Sequence, residues 1–221
     1  MTFAGDRPVV VDRCQSPRGE LVLRRAGEHF EVIANGTFLM DTRDGRSERT
    51  LVREAIAGKT DGRLLLAGLG VGFSLDEALR GAAVAEVVVV ELEATIVEWV
   101  RSHLNGLTEH GLDDPRVRLV VADILDVLET TADEFDAICL DVDNGPDWLV
   151  HEANAEIYSD ATLELIGRRL RPGGRLAVWA AAPDDRFEAR LRRRFASVAS
   201  VAIAVARGPD DVVYVATAEG A

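Results

Sequence analysis

Three glycines at alternate positions form a pattern in this sequence that could bind a ligand. Gly68, Gly70 and Gly72 follow the apolar run RLLLA, and a helical pattern begins directly after them. Glycines let a backbone pass close to a ligand, and the N–H groups at the start of a following helix point at that ligand. The third glycine comes one residue too early for the dinucleotide pattern G-x-G-x-x-G. We therefore predict a ligand-binding turn, and a tight strand-to-helix turn that binds nothing is the alternative.

Two acids follow the next two apolar runs. Glu91 ends VVVVE about 20 residues after the glycines, a spacing at which a carboxylate can accept two hydrogen bonds from a ribose diol. The alternative for Glu91 is an exposed acid that complements a helix dipole. Asp123 ends RVRLVVAD, where it could accept a hydrogen bond from the amino group of adenine or cap a helix. The two roles of Asp123 are compatible.

A third polar group follows the run FDAICL. The segment LDVDNGPDW, residues 140–148, opens with Asp141 and Asp143. Two acids at the end of a buried strand could bind an amine or remove its proton. Asp, Asn, Gly and Pro also favour turns, so a polar turn without function is the alternative. Trp148 could line a pocket or belong to the core.

The elements that must position these residues are read from the alternation of apolar runs with helical patterns after Gly58. That alternation, with near-continuous apolar strands, predicts a doubly wound and mostly parallel sheet. The carboxyl ends of parallel strands meet at one edge of such a sheet, which brings the glycines and acids together. The last two strands, ASVAIAVAR and DVVYVATAE, are joined by too short a turn for a parallel crossover and are predicted to pair antiparallel.

The first part of the chain has a different pattern. Three short runs, ELVLRRA, HFEVIA and TFLMD, predict a small antiparallel β module, with a two-residue turn at Asn35-Gly36. A helix is predicted over residues 47–57, with Ser47 as its N-cap and Gly58 at its end. We place the domain boundary between 1–46 and 47–221, and we expect the small module to pack on the larger unit.

Composition and charge restrict the partners. The 221 residues carry a net charge of −13, which argues against nucleic acid and suits a cationic small molecule. There is no membrane-length apolar run and no signal-peptide pattern, so a cytoplasmic protein is expected. Four scattered histidines and two distant cysteines predict no metal site. A basic cluster on the last predicted helix is interpreted as a solvated face rather than a phosphate site: Arg190, Arg192, Arg193 and Arg194.

Five segments in order resemble the motifs of class I S-adenosylmethionine-dependent methyltransferases: LLLAGLGVG, VVVVELE, DPRVRLVVAD, FDAICLD and LRPGGRLAVW. Within that superfamily the chain resembles the spermidine synthase group. The resemblance implies a seven-stranded Rossmann-like sheet behind a small β module. It also implies that Glu91 binds the ribose, Asp123 the adenine amine and the loop 68–72 the tail of the nucleoside. Asp141, supported by Asp143, would then deprotonate an attacking amine. The related synthases are commonly dimers, so a homodimer is expected.

Two departures from the group decide the predicted reaction. Spermidine synthases carry an acid in the glycine loop where this chain has Val71, and a Tyr-His pair where it has Val52 and Arg53. Arg53 could instead favour a donor that keeps its carboxylate. We therefore predict transfer of a methyl group in preference to an aminopropyl group, from S-adenosylmethionine or its decarboxylated form to a small acceptor. The alternatives are a polyamine aminopropyltransferase and a non-catalytic nucleoside-binding protein.

Overall fold

The computed structural model describes residues 7–142, 145–146, 152–206 and 208–220 of the chain. Its strands are β1 (Val9–Ser16), β2 (Gly19–Ala26), β3 (His29–Ala34), β4 (Thr37–Asp41), β5 (Gly62–Ala67), β6 (Val84–Glu91), β7 (Val117–Val121), β8 (Phe135–Leu140), β9 (Leu170–Ala180), β10 (Ser197–Ile203) and β11 (Asp211–Thr217). Its helices are α1 (Arg46–Ile56), α2 (Phe73–Leu79), α3 (Ala94–Ser102), α4 (Ile124–Thr130), α5 (Asp160–Arg169) and α6 (Asp185–Arg194), and a 3-10 helix spans Glu152–Tyr158.

The first four strands form a separate antiparallel sheet in the order β1-β2-β3-β4. The predicted turn between β3 and β4 is confirmed, because Asn35 and Gly36 have φ values of 49° and 80°. Strand β1 was not predicted. Its residues are mostly exposed, with Val9 60% and Val10 51% accessible, so no alternation of buried and exposed side chains marks it. Strand β1 is formed by backbone hydrogen bonding to β2, and the hydrophobic pattern of the sequence does not indicate that pairing.

The remaining strands form one seven-stranded sheet in the order β10-β11-β9-β8-β5-β6-β7. The pairs from β9 to β7 are parallel, and β10 and β11 are antiparallel, as predicted. The sheet thus has the doubly wound, mostly parallel arrangement of the class I methyltransferase fold. The order reverses at β5, whose neighbours are β8 and β6, and ligands bind at such reversal points.

Two buried clusters cover the two faces of this sheet. One contains Trp99 of α3 and Leu51 of α1, together with Leu23 of the N-terminal sheet. The other contains apolar residues of α4, α5 and α6, such as Phe187. The N-terminal sheet therefore shares a core with α1, α2 and α3, as expected for a module too small to fold alone. None of the helices in the described ranges is long and apolar enough to cross a membrane.

Several predicted boundaries are wrong. Helix α1 is capped by Gly45 rather than by Ser47, whose hydroxyl instead donates a hydrogen bond to Asp211. The pattern ATIVEWVRSHLNG predicts a helix that continues to Gly106, but α3 ends at Ser102. The residues Arg171-Pro172-Gly173-Gly174 are typical of a turn that ends a helix, but they lie inside β9 next to an irregularity in its pairing with β8.

Candidate active site

The glycine loop lies between β5 and α2 and passes directly over the end of β8. Gly68 has a φ of 91°, and a Cβ added there would lie 2.1 Å from the carbonyl oxygen of Asp141. Only glycine fits at this position, because both its conformation and its space exclude a side chain. Gly70 and Gly72 also have positive φ values, 54° and 100°, and Gly72 is the N-cap of α2. The structure thus brings the predicted loop and the predicted acid together.

Glu91 is the last residue of β6 and is only 8% exposed. Its Oε2 accepts a hydrogen bond of 2.9 Å from the amide of Leu69, and its Oε1 accepts one of 2.8 Å from the amide of Glu93. Burial raises the pKa of Glu91, and these amides act against that rise. The interpretation of Glu91 as an exposed acid is wrong. Its carboxylate fixes the glycine loop against the start of α3.

Asp123 has the capping role that the sequence suggested. Its Oδ1 accepts a hydrogen bond of 3.0 Å from the amide of Leu125 in the first turn of α4. Its Oδ2 lies 3.4 Å from Nη2 of Arg18, which comes from the turn between β1 and β2. Adenine binding by Asp123 stays a prediction. Arg18 was missed, because no local pattern indicates that this turn reaches the edge of the larger sheet.

The turn that carries Arg18 is held by Asn35. The side chain of Asn35 accepts a hydrogen bond from the amide of Glu20 and donates one to the carbonyl of Arg18, at 2.9 and 3.1 Å. A Cβ at Gly19 would lie 1.9 Å from the Asn35 side chain. Ser16 of the same turn donates a hydrogen bond of 3.3 Å to Glu93. The N-terminal sheet therefore contacts the larger sheet beside Glu91 and Asp123.

Asp141 directly follows β8 and is partly buried. Ser74 of α2 donates a hydrogen bond of 2.8 Å to its Oδ2. Burial raises the pKa of Asp141 to about 6, the Ser74 hydroxyl acts against that rise, and the charge of Glu91 adds to it. Asp143 and Trp148 lie outside the described residues.

Glu48 is a candidate functional residue that the sequence analysis missed. It lies in the first turn of α1 and is partly buried. Burial raises the pKa of Glu48 to about 8, and the nearby charges of Asp141, Asp211 and Asp44 add to that rise. An acid near a helix start normally indicates only a favourable dipole interaction. Its position near Asp141 follows from the packing of α1 against β8, β9 and β11.

The two departures from the group have different environments. Val71, which stands where the loop acid is expected, is only 4% exposed and belongs to the core. Arg53 is 58% exposed, and its Nε lies 3.4 Å from Glu77 near the end of α2. The guanidinium also contacts the hydroxyl of Thr50. The structure therefore gives no support to the hypothesis that Arg53 binds a donor carboxylate.

The described part of the site is acidic. Two partly buried carboxyl groups, Glu48 and Asp141, lie close enough for the charge of one to raise the pKa of the other. A bound ammonium would favour the ionised form of both groups, and an ionised carboxylate can accept a proton. Among the described residues, no group of three or more His, Cys, Asp or Glu side chains could hold a metal ion.

The chain is thus a Rossmann-like α/β protein with two partly buried acids, Glu48 and Asp141, near its glycine loop. The family model described as the spermine/spermidine synthase domain matches residues 55–184. The chain belongs to this family.

Relatives named polyamine aminopropyltransferase agree with the family match. The chain is 32% identical over 180 residues to the polyamine aminopropyltransferase of Mycobacterium tuberculosis H37Rv, which covers 80% of this chain and 33% of that protein. It is 36% identical over 158 residues to polyamine aminopropyltransferase 2 of Pseudomonas aeruginosa PAO1, covering 68% of this chain and 43% of that protein. The chain thus spans less than half the length of these two relatives.

Solved structures agree on the fold. A spermidine synthase in complex with the transition-state analogue AdoDATO superposes with a TM-score of 0.78 at 18% identity, covering 94% of this chain and 73% of that one. The spermidine synthase from Thermotoga maritima gives a TM-score of 0.75 at 17% identity, with coverages of 94% and 72%. These structures share the fold of the chain, and the family match confirms the predicted resemblance to the spermidine synthase group.

Proposed function

We propose that this protein transfers an aminopropyl group from decarboxylated S-adenosylmethionine to an amine acceptor. The observation that carries the proposal is the pair of partly buried carboxyl groups, Glu48 and Asp141, beside the glycine loop of a spermine/spermidine synthase domain. The sequence motifs predict methyl transfer in preference to aminopropyl transfer. The relatives named polyamine aminopropyltransferase favour the alternative, aminopropyl transfer, instead.

The nucleoside part of the donor is assigned to the glycine loop and to the acids that end β6 and follow β7. Glu91 accepts from the ribose hydroxyls, since each carboxylate oxygen keeps a lone pair beyond its bond to a backbone amide. Asp123 accepts from the adenine amine through Oδ2, the oxygen not used to cap α4. The loop with Gly68, Gly70 and Gly72 lies along the tail of the donor.

The chemistry assigned to the acids is proton removal and charge pairing. An amine has a pKa near 10 and must lose a proton before it can attack. Asp141 accepts that proton from the ammonium, and the free amine nitrogen then bonds to the donor carbon as the carbon–sulfur bond breaks, with its electron pair leaving on sulfur. Bound decarboxylated S-adenosylmethionine supplies the aminopropyl group and this sulfonium leaving group. The remaining task of the protein is to hold donor and amine in line.

Glu48 supports the choice of donor despite Val71. A decarboxylated donor ends in an ammonium group, and the loop position that would pair with it is apolar and buried here. Glu48 supplies a carboxylate from α1, and it lies close enough to Asp141 for the Asp141 charge to raise its pKa. We therefore assign the ammonium of donor or acceptor to Glu48.

The test incubates the purified protein with either donor and a set of diamines and follows the release of methylthioadenosine. We expect turnover only with the decarboxylated donor. Asp141→Asn should lower kcat by about 100-fold or more while methylthioadenosine still binds. The control is Asp126→Asn, an exposed carboxylate in the first turn of α4. Methylated product from S-adenosylmethionine would overturn the proposal in favour of methyl transfer. Nucleoside binding without turnover would support a non-catalytic protein.

Two further expectations remain part of the proposal. The division into units of residues 1–46 and 47–221 is supported by the end of the N-terminal sheet at Asp41 and the start of α1 at Arg46. A homodimer is proposed from the resemblance to related synthases, and sedimentation equilibrium would test it.

A further inference from the structure

Helix α6 carries five arginines, and the structure divides them into two groups. Arg192 pairs with Glu188 at 2.5 Å, and Arg194 pairs with Glu164 of α5 at 3.4 Å. The interpretation as a solvated helix face suits these two. Three others, Arg186, Arg190 and Arg193, are spaced four and three residues apart and therefore lie along one face of the helix.

The three arginines on this face, here called the arginine face, have no carboxylate partner among the described residues. Arg190 donates a hydrogen bond of 2.9 Å to the carbonyl of Tyr158 and lies 5.4 Å from the ring centroid of Phe187. Its guanidinium is thus held in place by uncharged groups. Arg186 and Arg193 are exposed and make no ion pair with any side chain in the described ranges. Uncompensated positive charge is unexpected on a protein with a net charge of −13.

The arginine face borders a cavity. The cavity has a volume of about 520 Å³ and is lined by Pro146, Asp184, Ala189 and the three arginines. That volume is in the usual range for small-molecule sites. The one acid in its wall, Asp184, uses its Oδ1 to accept hydrogen bonds from the amides of Arg186 and Phe187. The negative charge of Asp184 therefore mainly stabilises the start of α6.

We propose that the cavity at the arginine face binds a small oxyanion with two or more negative charges, such as a diphosphate or a polycarboxylate. Guanidinium groups bind such oxyanions through paired hydrogen bonds. Arg190 supplies a preoriented guanidinium, and Arg186 and Arg193 can close on the ligand from either side. Neither Glu48 nor Asp141 lines this cavity, and the proposal does not depend on the proposed transfer reaction.

The experiment measures binding of inorganic pyrophosphate and of citrate to the full chain by calorimetry at low and at physiological ionic strength. The test variant is Arg186→Ala with Arg193→Ala. The matched control is Arg192→Ala with Arg194→Ala, which removes the same charge from the same helix outside the cavity. Thermal unfolding of both variants confirms that each is folded.

We expect at least one anion to bind saturably, and the test variant to bind it about tenfold or more weakly, since two charge-assisted contacts are lost. The control should stay within about twofold of the unchanged protein, apart from a screening effect common to both. Preference for pyrophosphate identifies a phosphate ligand, and preference for citrate identifies a carboxylate ligand. No saturable binding of either anion, or equal weakening in both variants, would overturn the proposal.

Discussion

The hydroxyl of Ser74 donates a hydrogen bond of 2.8 Å to Oδ2 of Asp141. This bond joins the second residue of α2 to the residue that follows β8, two elements 67 positions apart in the chain. The same hydroxyl lies 3.4 Å from the carbonyl oxygen of Glu48 in α1. A single side chain thus connects α1, α2 and the end of β8, and it donates to the acid proposed as the proton acceptor.

The Ser74–Asp141 bond should be visible in the pH dependence of transfer. The hydroxyl stabilises the ionised form of Asp141, so Ser74→Ala removes a contribution that lowers the pKa of this carboxyl. We expect the acid limb of the pH profile of kcat to move to higher pH by about one unit, the size of one hydrogen bond to a charged group.

The control for this measurement is Ser102→Ala. The Ser102 hydroxyl donates a hydrogen bond to the carbonyl of Glu98 on an exposed part of α3. This helix carries none of the acids assigned to the site. The pH profile of Ser102→Ala should coincide with that of the unchanged protein. An acid limb that stays in place in Ser74→Ala would mean that Asp141 is not the group that limits turnover at low pH.

Glu48 should make the protein less stable at alkaline pH. Its pKa is raised in the folded protein to about 8, so the folded state holds a proton that the unfolded state releases at lower pH. The associated stability is present below the unfolded pKa and is lost as the pH rises through the folded value. Glu48→Gln stays neutral, and we expect it to unfold with a free energy about 1–3 kcal/mol higher than the unchanged protein above pH 8.

Urea unfolding at a series of pH values measures this difference. The advantage of Glu48→Gln should disappear near pH 4, where both side chains are neutral. Glu98→Gln, an exposed acid of α3, controls for the loss of one negative charge. A Glu48→Gln protein that is less stable than the unchanged one at alkaline pH would contradict the assigned environment.

Gly68 should tolerate substitution much less well than Gly72. Both have positive φ values, but an added Cβ at Gly68 would lie 2.1 Å from the backbone of Asp141, whereas nothing lies within 4 Å at Gly72. We expect Gly68→Ala to lower the free energy of unfolding by about 3 kcal/mol or more, from strain and overpacking together. Gly72→Ala should cost about 1–2 kcal/mol from backbone strain alone. Equal costs in denaturant unfolding would show that the loop can move away from β8.

Glu91 should contribute to both stability and nucleoside affinity. Glu91→Gln leaves one acceptor oxygen for two backbone amides, those of Leu69 and Glu93. We expect a loss of about 1–3 kcal/mol in unfolding free energy and an affinity for methylthioadenosine about tenfold weaker by calorimetry. Glu98→Gln is the control, because Glu98 is an exposed acid of α3. Equal affinity in both variants would remove Glu91 from the ribose site.

Much of the fold was predictable because it depends on local pattern. Buried parallel strands appear as apolar runs such as RLLLA and VVVVE, and the Asn35-Gly36 turn requires residues that adopt positive φ. The positions of Glu91, Asp123 and Asp141 followed from the rule that such strands end at one edge of the sheet. Strand β1 was not predictable, because its exposed residues acquire their conformation only by pairing with β2.

The strands, the glycine loop and the acids at the strand ends could be inferred from sequence alone, since each depends on residues close together in the chain. The packing of the folded chain sets which distant groups meet there. It brought Glu48 of α1 and Ser74 of α2 to Asp141, and the turn with Arg18 to Asp123. These contacts depend on how helices and a second sheet pack on the first, and packing is set by the summed burial of many apolar side chains rather than by any local motif.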